Sequence, residues 1–149
     1  MKSIIITGAS SGIGRATAEA FLEQGWKVGL IARRGERLAE IAGRNSDAIP
    51  LPVDVTDAAG MQAAFDKFLD LTGRLDALFN NAGSFGPSAS IDEVDLDDFD
   101  NLLNVNVRGM CIAAQLAFRQ MRDQSPLGGR IINNGSLSAH SPRAESVCY

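Results

Sequence analysis

Little in this chain invites cross-linking or metal chemistry. Its 149 residues hold two cysteines, Cys111 and Cys148, and one histidine, His140. That is too few for a disulfide framework or a Cys-rich zinc site. Cys111 reads as a buried thiol and Cys148 as an unremarkable terminal one. No apolar run approaches the roughly 18 residues of a membrane span. The isoleucines at 4–6 are too short a core for a signal peptide and run straight into Thr7 and Gly8. Basic residues are not in excess, with 14 Lys plus Arg against 18 Asp plus Glu and a net charge of -4. That balance disfavours nucleic acid and anionic membranes as partners. The expected location is cytoplasmic.

What remains is ordinary globular composition, 45% apolar and 21% charged. It excludes disorder, collagen-like repeats and coiled coil. The length fits one domain, residues 1–149. Residues 2–7, 26–32, 49–53, 75–80 and 130–134 read as strands. Pro50 and Pro52 make the third irregular or place it near a sheet edge. Helical patterns cover 12–24, 34–42, about 57–71 and 96–122. The first shows Ile13, Ala16, Ala20 and Phe21 on one side, Asp57 can cap the third, and the last is interrupted near Gly109. Strands alternating with helices imply right-handed βαβ units. The expected fold is α/β, a Rossmann-type doubly wound parallel sheet, incomplete, with about five strands in the order 3-2-1-4-5.

Thr7-Gly8-Ala9-Ser10-Ser11-Gly12-Ile13-Gly14 falls where the first strand turns into the first helix. Gly8 permits the tight turn, Gly12 leaves room for a pyrophosphate against the backbone, and Gly14 lets the helix pack closely. The N–H groups of the helix start would face the phosphates, and Ser10 and Ser11 add hydroxyl donors. The competing reading is a glycine-rich turn with no ligand, which the strand-to-helix position disfavours. About 20 residues further on, a dinucleotide site usually carries an acid for the ribose 2′-OH. Ala32 stands there instead, and Arg33 follows it, suited to a 2′-phosphate. NADP(H) is therefore favoured over NAD(H). In the competing reading, Arg33 and Arg34 are solvated charges at a helix start.

The turn resembles the TGxxxGxG signature of the short-chain dehydrogenase/reductase family. Further matches follow in order: Asp54 after the third strand, Asn80-Asn81-Ala82-Gly83 after the fourth, and Val105-Asn106-Val107-Arg108-Gly109 in the long helix. Gly129-Arg130-Ile131-Ile132-Asn133, Ser136 and Tyr149 complete the series. Ser136 and Tyr149 stand 13 residues apart, the family spacing of its catalytic serine and tyrosine. The resemblance covers essentially the whole chain. It implies cofactor binding by Gly8, Ser10, Ser11, Gly12, Ile13, Gly14, Arg33, Asp54, Val55, Asn81, Ala82 and Gly83. Asp54 would bond the adenine amino group beside the Val55 backbone, and Asn81, Ala82 and Gly83 would pass the adenosine ribose. Asn80 reads better as a tie between strands, because a buried amide must be satisfied.

The resemblance also implies three catalytic roles. Asn106 would hold a water in a proton relay, Ser136 would orient a substrate carbonyl, and Tyr149 would donate or accept the proton. Without the family pattern, Asn106 reads as a polar residue that kinks a helix, and Ser138 rivals Ser136. The implied reaction is hydride exchange between a nicotinamide cofactor and a small-molecule carbonyl or alcohol. Full-length relatives are often homo-oligomers.

The family places a lysine four residues after the tyrosine, and this sequence ends at Tyr149. An unassisted tyrosine titrates near ~10, so phenolate is scarce at neutral pH. The expectation is the N-terminal portion of a longer enzyme, inactive as it stands. The alternative is a non-catalytic dinucleotide-binding fragment. A methyltransferase on a similar fold fits less well: it wants an acid where Ala32 sits and leaves the spacing of Ser136 and Tyr149 unexplained.

Overall fold

Ser3–Thr7 (β1), Lys27–Ala32 (β2), Ala48–Pro52 (β3), Ala77–Asn80 (β4) and Arg130–Asn133 (β5) form one parallel sheet. Its order is β3-β2-β1-β4-β5, as expected from the sequence. The computed structural model describes residues 1–141 and 143–145. The connecting helices are α1 (Gly12–Glu23), α2 (Gly35–Ala42), α3 (Ala58–Thr72), α4 (Leu96–Leu103) and α5 (Met110–Asp123). β1 lies in the middle, and all of its residues are buried. A run of three isoleucines has no polar face to offer water, so it belongs where helices cover both sides.

The side chains of β1 alternate between two cores. Ile5 packs with Phe65, Phe68 and Leu78 beneath α3 and α5, whereas Ile4 and Ile6 pack with Ala18, Leu22, Leu30 and Leu38 beneath α1 and α2. The result is the helix–sheet–helix layering of a doubly wound domain. Pro50 and Pro52 lie on edge strand β3, where a missing N–H breaks no ladder. Asp57 caps α3 as predicted, accepting from Gly60 N at 3.0 Å.

Several expectations need correction. α1 turns Gly14, Ala18 and Leu22 inward, while Ile13 is 63% exposed and Ala16 and Ala20 are also exposed. The small Gly14 and Ala18, at i and i+4, let the helix lie close on the sheet, so packing distance outweighs the larger apolar side chain. The interruption of the long helix expected near Gly109 is a π-helical turn, Asn104–Gly109, between α4 and α5. Cys111 is exposed rather than buried, because it falls two residues from each of the inward-facing Gly109 and Ala113. Leu75 precedes β4 instead of joining it: its N–H donates to Oε1 of the buried Gln124 at 3.0 Å. Cys148 and Tyr149 lie outside the described residues.

Candidate functional site

From β1 the chain moves outward through β2 and β3, then returns to add β4 and β5 on the other side. Loops leaving the carboxyl ends of β1 and β4 therefore diverge and leave a crevice between them. A cleft of about 950 Å³ opens there.

Thr7 builds its floor. Its Oγ1 accepts from Asn81 N and from Ala82 N, both at 2.9 Å, and its carbonyl accepts from Asn81 Nδ2 at 3.1 Å. Asn81 Oδ1 accepts from Asn134 Nδ2 at 2.9 Å. The ends of β1, β4 and β5 are thus fixed to one another. Asn80 donates to the Met110 carbonyl at 2.8 Å and to Asn133 Oδ1 at 3.2 Å. It ties β4 to β5 and to α5, as its burial requires.

The strand-to-helix turn takes the conformation that its glycines permit. Gly8 and Gly12 have φ of +71° and +54°, values that cost other residues steric strain. A Cβ on Gly14 would strike the Gly8 carbonyl oxygen and come within 2.7 Å of Asn81 Nδ2. Among the described residues, a Cβ on Gly12 would meet nothing within 4 Å, so none of them fills the space beside it. Ser11 occupies the N-cap of α1 without making a side-chain cap. Among the described residues, no group accepts from the amides of Gly12, Ile13 or Gly14. Adjacent free donors at the positive end of a helix dipole have the chemistry that could hold an anion.

Arginines furnish the neighbouring wall. Arg34 is not simply solvated: its Nη2 donates to Ser10 Oγ at 2.9 Å and to Ser11 Oγ at 3.0 Å. Both hydroxyls keep their own protons free to donate. Arg33 has a side chain 80% exposed, and its Nε stands 4.0 Å from Asp54 Oδ2. A pair this open contributes little by itself and leaves the guanidinium available. Asp54 Oδ1 accepts from Thr56 N at 2.9 Å and from Thr56 Oγ1 at 2.8 Å. Burial pushes its carboxyl up, but the two Thr56 hydrogen bonds and the Arg33 charge together hold it below the usual carboxylate value.

The cleft brings together Gly8, Ser10, Ser11, Gly12 and Ile13 from the turn with Arg33, Asp54 and Val55 from the second and third strand ends. Asn81, Ala82, Gly83 and Ser136 line the opposite side. Gly14 sits behind the turn and does not line it. Ser136 Oγ accepts from Ser138 N at 3.1 Å, opening a short 3-10 turn over Leu137–Ala139. Ser138 is buried and away from the cleft, which separates the two rival serines. Asn106 lies in the π-turn outside the lining. Its Oδ1 accepts from Ser84 N at 2.8 Å and its Nδ2 donates to Ser84 O at 2.9 Å. Tyr149 lies outside the described residues.

Sequence reasoning missed Thr7 and Thr56 as anchors and Arg34 as a partner of the turn. Their bonds join residues far apart in sequence, which periodicity cannot register. The signal that was available is a threonine directly before the first glycine, a hydroxyl acceptor at a point where two loop amides need one.

The residues suit a dinucleotide: free helix-start amides, an uncrowded glycine, adjacent cations, and a cleft of the usual ligand-site size. The short chain dehydrogenase family model matches residues 2–149. An uncharacterised oxidoreductase of Staphylococcus haemolyticus is 35% identical over 147 residues, covering 97% of this chain and 62% of the relative. Sulfoacetaldehyde reductase 2 of Chromohalobacter salexigens is 32% identical over 149 residues, covering 98% of this chain and 59% of the relative. The crystal structure of 3-ketoacyl-(acyl-carrier-protein) reductase from Brucella melitensis complexed with NADH superposes with a TM-score of 0.94. That structure is 29% identical, and the match covers 99% of this chain and 62% of the other. The chain thus spans less than two thirds of the length of these relatives. A match over nearly every residue, joined to the five-strand order and the turn, places the chain in the short-chain dehydrogenase family.

Proposed function

We propose that this chain forms the dinucleotide-binding portion of an NAD(P)-dependent oxidoreductase, with NADP(H) favoured over NAD(H). The substrate is a small-molecule carbonyl or alcohol, and the whole protein works in the cytoplasm as a homo-oligomer. The observation that carries this reading is the trio of amides at Gly12, Ile13 and Gly14 that have no partner among the described residues, beside a glycine whose open side none of those residues fills. Those of Gly12 and Ile13, which line the cleft, would hold the pyrophosphate, with Gly14 bringing the helix start close behind them. Asp54 and the Val55 backbone would meet the adenine, and Asn81, Ala82 and Gly83 would border its ribose. Arg33 would take the 2′-phosphate, supported by its exposure and by Ala32 standing where an acid would repel that group. The bound nicotinamide supplies the hydride donor or acceptor.

Ser136 would orient the substrate oxygen. Its Oγ already accepts from Ser138 N, so its proton points elsewhere and can be donated to a carbonyl. Asn106 would act from the π-turn through a held water, and Tyr149 would move the proton. The alternative is a non-catalytic dinucleotide-binding fragment. NADPH binding without carbonyl-dependent NADPH oxidation favours that alternative, and turnover favours the enzyme. The cofactor reading is tested by titrating NADPH and NADH against the wild type and Arg33→Ala. A selective loss of NADPH affinity is expected, and equal NADPH binding by both proteins removes Arg33 from the site.

A further inference from the structure

The π-turn Asn104–Gly109 grips both walls of the cleft. Residues two apart on a helix project to different sides, so Asn106 and Arg108 face different neighbours. Asn106 holds Ser84, on the wall built by the loop after β4. Arg108 reaches the opposite wall: its Nη1 donates to the Thr56 carbonyl at 2.7 Å and lies 3.4 Å from Asn104 Oδ1. Beside it, Gly109 gives Val55 its place, because a Cβ there would come within 2.8 Å of Val55 Cγ2. Thr56 in turn holds the Asp54 carboxylate through its N–H and hydroxyl. Arg108 makes no ion pair among the described residues. Its positive charge is spent on a neutral carbonyl, a stronger bond than a neutral donor would make. The side chain itself does not line the cleft.

We propose that Arg108 is a positioning residue for the adenosine end of the cleft. By pinning the Thr56 carbonyl it fixes Asp54 and Val55 in the places where they meet the adenine. This rests on the dinucleotide reading above. Its consequence is one-sided: the adenosine half of the ligand depends on Arg108 and the nicotinamide half does not.

The test is calorimetric titration of the full chain and its variants with two separate probes, ADP-ribose and nicotinamide mononucleotide. Arg108→Ala is expected to weaken ADP-ribose binding roughly threefold to tenfold and to leave nicotinamide mononucleotide within about twofold. Arg108→Lys, which keeps one charged donor, recovers at least half of that loss on a logarithmic scale. If Arg108→Ala does not fold, Arg108→Gln takes its place against Arg108→Lys with the same expectations. Unchanged ADP-ribose affinity overturns the inference and leaves the dinucleotide reading intact. Equal losses for both probes make Arg108 a general structural residue and also overturn it. A wild type that binds no ADP-ribose overturns both.

Discussion

Replacing Gly14 with alanine adds a single methyl group where the turn has no room for it. The new Cβ would strike the Gly8 carbonyl oxygen, 2.8 Å from the Gly8 carbonyl carbon and 2.7 Å from Asn81 Nδ2. The Gly8 atoms are backbone of the turn itself, and Asn81 is held by Thr7 and Asn134. None of them can swing aside, so the upper end of the about 1–3 kcal/mol cost of overpacking applies. Alanine returns about 1 kcal/mol of helix propensity, leaving a net loss of about 2 kcal/mol. For a chain of this size that lowers Tm by about 4–8 °C. Gly12→Ala is the control: its Cβ meets nothing within 4 Å, and only its φ of +54° opposes the change. That strain costs about 1 kcal/mol, or about 2–4 °C. Thermal unfolding followed by circular dichroism compares the three proteins in one buffer. Gly14→Ala as stable as the wild type, or less destabilised than Gly12→Ala, refutes the steric reasoning.

Two further outcomes follow from the strand ends. Thr7→Val keeps the shape of the side chain but removes the acceptor shared by the Asn81 and Ala82 amides. Both amides are half-buried, so a loss of about 2 kcal/mol is expected in urea unfolding, and an unchanged midpoint denies Thr7 its anchoring role. The Asp54 carboxyl titrates below its usual value, so its hydrogen bonds from Thr56 are fully present above about pH 4. They are lost as pH falls through the lowered native value. In Asp54→Asn the acid limb of the stability profile below about pH 4 becomes flatter, whereas superposable profiles show that Asp54 contributes nothing there.

The sheet order and the glycine turn were legible because both rest on rules that act locally. Isoleucine runs must be buried, and glycines mark positions where a Cβ or a negative φ is forbidden. The packing face of α1 was misread for a related reason. Gly14 and Ala18 carry little hydropathy, yet their smallness brings the helix onto the sheet, while the larger Ile13 is left at the cleft. The site's second layer was illegible because its bonds span long separations. Thr7 meets Asn81 and Ala82 across more than 70 residues, and Arg34 meets Ser10 across 24. The interruption expected near Gly109 is the π-turn, and Gly109 at its end leaves room for Val55 where a Cβ would come within 2.8 Å of Val55 Cγ2.

The open amides at the head of α1 are the heart of the proposed site. Titrating NADPH into ¹⁵N-labelled protein and following each amide by NMR tests them directly. The largest saturable shifts are expected at Gly12 and Ile13, which line the cleft. Binding that leaves those two resonances in place while moving others, or no binding at all, contradicts the proposed site.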